Sequence, residues 1–328
     1  MKAFEYSRPR SLEQAIAEIH GQHAAKFLGG GTNLIDLMKM GAETPAQLID
    51  ITRLPLNSIE AYAGGVRIGA LSRNSAITTN PLIRSRYPIL VDAVLAGASP
   101  QIRNMATAGG NLLQRTRCYY FYDPSYQECN KRTPGSGCAA MQGYNRNQAI
   151  LGTSDQCIAS HPSDMAVALA VLDASIKVRG PAGDRSISIA DFHRLPGSTP
   201  QIDTNLAPDE LITSIDLPAP LPHKHFYLKV RDRQSYAFAL VSVAALVEID
   251  SSGNIQDGRF ALGGVAPKPW RVQEAEVMLQ GKKPTDSTFG AAAEVALRGA
   301  RPLRYNGFKV ELARRSIVRA LSEAAQIG

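Results

Sequence analysis

Apolar residues return with a helical period at Leu12, Ala15, Ile16 and Ile19, so the spacing predicts a short amphipathic helix. Ser11 is placed to cap it, with Gln14 closing a capping box. Lys26-Phe27-Leu28 then reads as a brief strand, Gly29-Gly30-Gly31-Thr32-Asn33 as a tight loop, and residues 34–39 as a helix. Residues 47–52 (QLIDIT) read as a buried strand, and residues 65–71 (GVRIGAL) alternate Val66, Ile68 and Ala70 with smaller or polar positions. Residues 88–97 carry a helical pattern with Gly97 as the stop, and Ser163 or Asp164 caps the apolar helix MAVALAVLDA. Residues 175–178 and 186–189 read as a hairpin across Gly180-Pro181-Ala182-Gly183, and residues 206–217 as a turn and a strand. Beyond the Pro-rich LPAPLPHK at 217–224, the best linker in the chain, residues 226–230, 237–249 and 260–265 read as strands. Residues 273–279 and 289–298 look helical, and residues 307–325 form a long helix with Val310, Ala313, Ile317, Ala320 and Leu321 on its apolar face. The predicted class is α+β.

Composition narrows the function more than the fold. The chain has 328 residues, 44% of them hydrophobic and 20% charged, so it can bury two or three cores and is not a disordered segment. Its net charge is +7, but the Lys and Arg residues are scattered, which argues against nucleic acid and for an acidic protein partner. No window approaches ~18 consecutive apolar residues, so no membrane insertion is expected. The first residues, MKAFEYSRPRSLEQAIAEIH, lack the apolar core of a secretory signal, and the expected location is cytoplasmic by default.

Two stretches carry chemistry. The first is the glycine loop at 29–33, where strand, loop and helix in that order set backbone N–H groups where an anion can sit. It matches neither GxGxxG nor a Walker loop, and three glycines alone more often describe a tight turn than a phosphate cradle. The second runs from Gln101 to Asp164. It opens with Arg103, Thr107 and the pair Gly109-Gly110 before Asn111, a cation, a hydroxyl and an amide around a second candidate anion site, or a plain helix-to-loop junction. It then holds all four cysteines of the chain, spaced Cys118-x10-Cys129-x8-Cys138-x18-Cys157. Such clustering favours a metal or cluster site over disulfides. No CxxC pair is present, and the spacing leaves a [4Fe-4S] cluster, zinc, two disulfides and unligated buried cysteines all open. The basic neighbours Arg115, Arg117, Lys131 and Arg132 are expected to lower the thiol pKa values. The six histidines, His20, His23, His161, His193, His223 and His225, show no catalytic or metal-ligand spacing.

Together these stretches resemble the FAD-binding medium subunit of the molybdenum hydroxylase family, which includes xanthine dehydrogenase, carbon monoxide dehydrogenase and aldehyde oxidoreductases. The resemblance rests on FLGGGTNLIDLMK at 27–39, QIRNMATAGGNL at 101–112, HPSDMAVAL at 161–169 and ELITSIDLP at 210–218. It continues through KVRDRQSYAFALVSVAA at 229–245, ALGGVAPKPWR at 261–271 and NGFKVELARRSIVRAL at 306–321, in the family's order over nearly the whole chain. It implies an FAD-binding domain of the vanillyl-alcohol-oxidase-like type in two subdomains, 1–57 and 58–222, then a C-terminal α+β domain of the CO dehydrogenase flavoprotein type at 223–328. It also implies that the run Lys26, Phe27, Leu28, Gly29, Gly30, Gly31, Thr32, Asn33 and Leu34 holds FAD, its loop cradling the pyrophosphate. Arg103, Thr107, Ala108, Gly109, Gly110 and Asn111 would form a second wall, Asp164 would hydrogen-bond the cofactor, and Ile212 and Lys229 would lie near the isoalloxazine ring.

Most of the family has a short spacer between the GGN and SD motifs, whereas here a cysteine-rich insert at 115–160 intervenes. A similar insert marks the bacterial periplasmic-type aldehyde oxidoreductases and the 4-hydroxybenzoyl-CoA reductases, and NLLQRTRCYYFYD with CNKRTPGSGCAA is most similar to the former. By that resemblance Cys118, Cys129, Cys138 and Cys157 bind a [4Fe-4S] cluster. The implied function is electron transfer within a heterotrimer: a large molybdenum-cofactor subunit oxidises an aldehyde, a small subunit with two [2Fe-2S] centres relays electrons, and FAD here delivers them to a terminal acceptor. No catalytic residue for the substrate is expected in this chain. A partner bearing a Tat signal would carry the complex to the periplasm. The rival readings are a 4-hydroxybenzoyl-CoA reductase-like or xanthine dehydrogenase-like subunit, a stand-alone FAD oxidoreductase, and a zinc-stabilised interaction protein.

Overall fold

The computed structural model describes residues 1–22 and 24–326, so His23 lies outside the described residues. Near the N-terminus, β1 (Glu5–Ser7), β2 (Ala25–Leu28) and β3 (Gln47–Asp50) form a parallel sheet in the order β1-β3-β2. Parallel neighbours need crossover connections, and the helices Leu12–Ile19 and Leu34–Met40 supply them. Ser11 caps the first helix by accepting the Gln14 N–H at 3.2 Å. The expected capping box is altered, because Gln14 Oε1 accepts the N–H of Arg10 at 2.8 Å rather than that of Ser11. Ala15, Ile16 and Ile19 pack against Ile49, Ile51 and Leu54.

A second, antiparallel sheet is built from β4 (Ile59–Tyr62), β5 (Gly65–Gly69), β6 (Ser175–Gly180), β7 (Gly183–Ser188) and β8 (Leu211–Leu217), in the order β4-β5-β8-β6-β7. The hairpin β6–β7 turns over Pro181-Ala182, with Gly183 at φ +104° supplying the conformation that only glycine takes at no steric cost. Ile189 leaves the strand to begin a short helix. The segment between β5 and β6 holds the helix Pro88–Ala96, the short helices Pro100–Met105 and Ala108–Leu112, the cysteine insert, and the helix Asp164–Val171.

The third sheet, β9 (Lys224–Val230), β10 (Val241–Ile249) and β11 (Ile255–Gly263), is antiparallel in the order β11-β10-β9. Its central strand explains the uninterrupted apolar run VSVAALV. Val241, Val243, Ala245 and Val247 pack into one core with the helices Asp286–Ala296 and Phe308–Gln326, while Ala244 and Leu246 join the core that contains Asp164–Val171. A strand covered on both faces has no polar side to show. Residues 237–240, expected as strand, are irregular, and the ladder begins at Val241. Small side chains in the terminal helix, Ala313, Ala320 and Ala324, allow its close approach to the sheet.

Candidate functional site

The glycine loop and the glycine pair meet. A Cβ on Gly30 would stand 2.1 Å from the carbonyl oxygen of Met105, and one on Gly29 would stand 3.2 Å from Thr107 Oγ1, so the two segments touch backbone to backbone. Gly31 takes φ +73° and turns the chain into the helix Leu34–Met40. Asn33 Oδ1 accepts the N–H of Arg115 at 2.8 Å, and its Nδ2 is buried with no protein partner among the described residues. Lys26 is exposed at the strand edge, and Phe27, Leu28, Thr32 and Leu34 are half-buried along the same run.

The second wall is held from behind. Thr107 caps the helix Ala108–Leu112 by accepting the Gly110 N–H at 3.2 Å, and the N–H groups of Ala108 and Gly109 donate to the carbonyls of Ser72 and Ala70. Gly109 leaves no room toward Ala70, and Ile212 of β8 lies 3.7 Å from where its Cβ would be. Arg103 does not point into a pocket: its guanidinium donates to the carbonyls of Leu95 and Gly97, pinning the turn after the helix Pro88–Ala96. Asn111 Oδ1 accepts from Ser163 Oγ at 2.6 Å, so the glycine wall is tied to the cap of the helix Asp164–Val171.

Asp164 is buried, and each carboxylate oxygen is engaged: Tyr227 Oη donates to Oδ1 at 2.7 Å and Lys229 Nζ to Oδ2 at 2.8 Å. Lys229 Nζ also donates to the Ala96 carbonyl at 3.0 Å. Burial, and then the Asp164 charge, push the Tyr227 hydroxyl well above its usual pKa, so it stays a donor. A carboxylate has further lone pairs, but this one is first a bolt between the second wall and β9. Tyr227 was missed in the sequence; it stands two residues before Lys229 on the same face of one strand, which is the signal that pairs them.

The four cysteines come together. Cys129 and Cys138 face each other as an antiparallel bridge, with Gly135 at φ +86° and Gly137 at φ +98° closing the turn between them. Asn130 Oδ1 accepts the Gly137 N–H, and its Nδ2 donates to the Gln156 carbonyl beside Cys157. Cys118, Cys129, Cys138 and Cys157 all line one pocket, walled by Tyr120, Phe121 and Ile158, and all four are free thiols. The backbone N–H of Ala159 donates to Cys157 Sγ at 3.5 Å, while those of Phe121 and Met141 donate to the carbonyls of Cys118 and Cys138. Among the described residues no three His, Cys, Asp or Glu side chains are set to hold a single metal ion.

The expected lowering of the thiol pKa values is corrected by the structure. Burial pushes Cys118 up to about 12 and Cys138 up to about 11, and raises Cys157. The basic neighbours are spent elsewhere: Arg115 pairs with Glu43 and Asp203, Arg117 with Asp36, and Arg132 donates to the carbonyls of Tyr120 and Phe121. Only Lys131, itself buried, acts on a thiol, opposing the rise at Cys157. Thiols in this setting become thiolates when an ion displaces their protons.

Residues 2–220 match the model of the FAD binding domain in molybdopterin dehydrogenase, and residues 226–324 that of the CO dehydrogenase flavoprotein C-terminal domain. The chain belongs to the FAD-binding medium subunits of the molybdenum hydroxylase family. It is 52% identical to the aldehyde oxidoreductase FAD-binding subunit PaoB of Escherichia coli (strain K12), over 99% of both chains. It is 31% identical to the glyceraldehyde dehydrogenase medium chain of Sulfolobus acidocaldarius, over 86% of this chain and 83% of that one. The solved structure of carbon monoxide dehydrogenase from Hydrogenophaga pseudoflava superposes with a TM-score of 0.77 at 26% identity, over 98% of this chain and 97% of its own. As in the family, the chain is an oxidoreductase subunit that binds FAD. Two features fit such a group: a loop with no space for a side chain at Gly30 and the buried, unpartnered Asn33 Nδ2 beside it. No helix among the described residues is long and apolar enough to cross a membrane.

Proposed function

We propose that this chain is the FAD- and [4Fe-4S]-carrying electron-transfer subunit of a molybdenum-dependent aldehyde oxidoreductase. The end-to-end likeness to an aldehyde oxidoreductase FAD-binding subunit carries the proposal. What supports the cluster is four unpaired thiols around one pocket, with the Ala159 N–H donating to Cys157 Sγ. The flavin supplies, when bound, the ability to collect electrons one at a time and to release them to an acceptor. The residues from Leu28 to Leu34 offer amide N–H groups to its pyrophosphate, and Thr107, Gly109, Gly110 and Asn111 form the facing wall. Ile212 packs behind that wall, and Asp164, Tyr227 and Lys229 hold the wall to the C-terminal sheet. The partners are a large molybdenum-cofactor subunit, a small subunit with two [2Fe-2S] centres, and a terminal acceptor.

The test is to coexpress the chain with its two partners, copurify the complex, and measure flavin, iron and zinc per chain and aldehyde-dependent dye reduction. The expected result is FAD, a cluster of about four irons assigned to this subunit, and turnover of aldehydes. Zinc in place of iron on the cysteines refutes the cluster. Turnover of a purine with no aldehyde activity refutes the substrate class.

A further inference from the structure

Beside the cysteine cavity lies a second pocket, between the glycine-pair wall and the thiols. Leu112, Gln114, His161, His193 and Asp203 line it, and it shares Lys131 and Ala159 with the cysteine cavity. The two histidines carry no charge there, since burial holds His161 well below its usual pKa and His193 at about 4. Lys131 therefore brings the positive charge to both cavities. Its side chain is 7% exposed, its Nζ donates to the Pro200 carbonyl at 2.6 Å, and it pairs with Asp203. Asp203 is shared with Arg115 Nε at 2.5 Å, and Arg115 pairs in turn with Glu43. The result is a chain of alternating charges, Glu43, Arg115, Asp203, Lys131, whose positive end lines both cavities and acts on Cys157. The other charged residue on the cysteine cavity, Glu128, is an exposed side chain.

We propose that Lys131, held at the cavity wall by Asp203, is a positioning residue that sets the reduction potential of the iron–sulfur cluster, raising it above what four thiolates alone would give. The proposal rests on the cluster reading above. Reduction adds one electron to an anionic group, and a fixed cation beside it in a poorly screened interior favours the reduced form; net charge and hydrogen bonds to sulfur are the levers that tune such potentials. Asp203 opposes Lys131 in part, so the two residues act with opposite signs. A purely structural role, tying the insert to the loop around Asp203, would not produce that opposition.

The experiment is a potentiometric titration of the copurified complex, followed by electron paramagnetic resonance of the cluster, with iron and flavin content measured alongside. Lys131→Gln shifts the midpoint to more negative potential, Lys131→Arg leaves it near the wild-type value, and Asp203→Asn shifts it to more positive potential. Unchanged midpoints, or shifts of one sign in Lys131→Gln and Asp203→Asn, overturn the proposal. Where Lys131→Gln loses iron, Asp203→Asn decides alone: a midpoint at or below wild type overturns it. A wild-type complex without iron refutes the cluster reading itself, which separates that failure from a failed charge assignment.

Discussion

At the scale of single residues, the two glycines of the candidate flavin site differ in what they tolerate. Gly110 is exposed, and the nearest atom to an added Cβ is the hydroxyl of its own cap, Thr107, at 2.9 Å. Gly30 faces backbone: the Met105 carbonyl oxygen at 2.1 Å and the Ala106 Cα at 3.0 Å, neither of which can rotate away. Gly30→Ala therefore forces the strand-to-helix loop off the second wall, with a cost of about 1–3 kcal/mol for the overpacking and loss of bound flavin. Gly110→Ala asks only the Thr107 hydroxyl to give. Flavin absorbance per chain after purification, with a denaturation midpoint, checks the contrast; equal flavin retention in both variants refutes the close approach as the reason for glycine at 30. The loop was legible in the sequence as strand, glycines and helix, because each signal is local. Which glycine is indispensable was not, since the carbonyl that excludes a side chain at Gly30 comes from residue 105.

At the scale of elements, the long terminal helix shows the same division. Its apolar stripe at Ala313, Ile317, Ala320 and Leu321 was readable from period alone and is buried as expected. Lys309 at its start was not, because a lysine in an exposed-looking first turn carries no sign of burial. It is fully buried, donating to the Gln148 carbonyl at 2.9 Å and the Gly264 carbonyl at 2.5 Å, and so ties the end of the cysteine insert to the C-terminal sheet. Asn306 assists by donating to the carbonyls of Gln148 and Ala149. Edge strands Glu5–Ser7 and Ile59–Tyr62 also escaped the sequence reading, since their mostly exposed residues show no apolar alternation. Burial, and then Arg146, lower the Lys309 pKa to about 7. The folded-state value lies below the unfolded one of about 10.4, so the unfolded chain binds more protons between the two. Stability from this group is complete above the unfolded value and is lost as pH falls toward 7. The slope is up to ~1.4 kcal/mol per pH unit within that window. Lys309→Met is expected to flatten the rise in chemical-denaturation midpoint between pH 7 and 9; a rise identical to that of the wild type assigns the pH dependence to another group.

At the scale of the whole molecule, the helix Asp164–Val171 lies between two sheets, and the buried pair at its start joins them. Asp164 and Lys229 expose 7% and 5% of their side chains, at 2.8 Å from each other. Lys229 and Arg231 both donate to the Ala96 carbonyl, and Ser163 holds Asn111, so one cluster gathers the end of Pro88–Ala96, the glycine wall and β9. A buried pair of this kind adds little net stability over an apolar replacement, yet removing one partner strands a charge in the interior and costs about 3–5 kcal/mol. Lys229→Met is therefore expected to lower the unfolding free energy by that amount and to release flavin, because the stranded Asp164 carboxylate drags the wall toward water. The pair Asp164→Leu with Lys229→Met removes both charges, leaves only the Tyr227 hydroxyl to find a partner, and is expected to recover most of the stability. Denaturation of the two single variants and the double variant gives the coupling. Additive losses, within about 0.5 kcal/mol, show that the pair does not act as a unit and that the sheets are joined by apolar packing alone. Recovery of stability without recovery of flavin is the outcome expected if Asp164 also meets the cofactor, besides holding the sheets together.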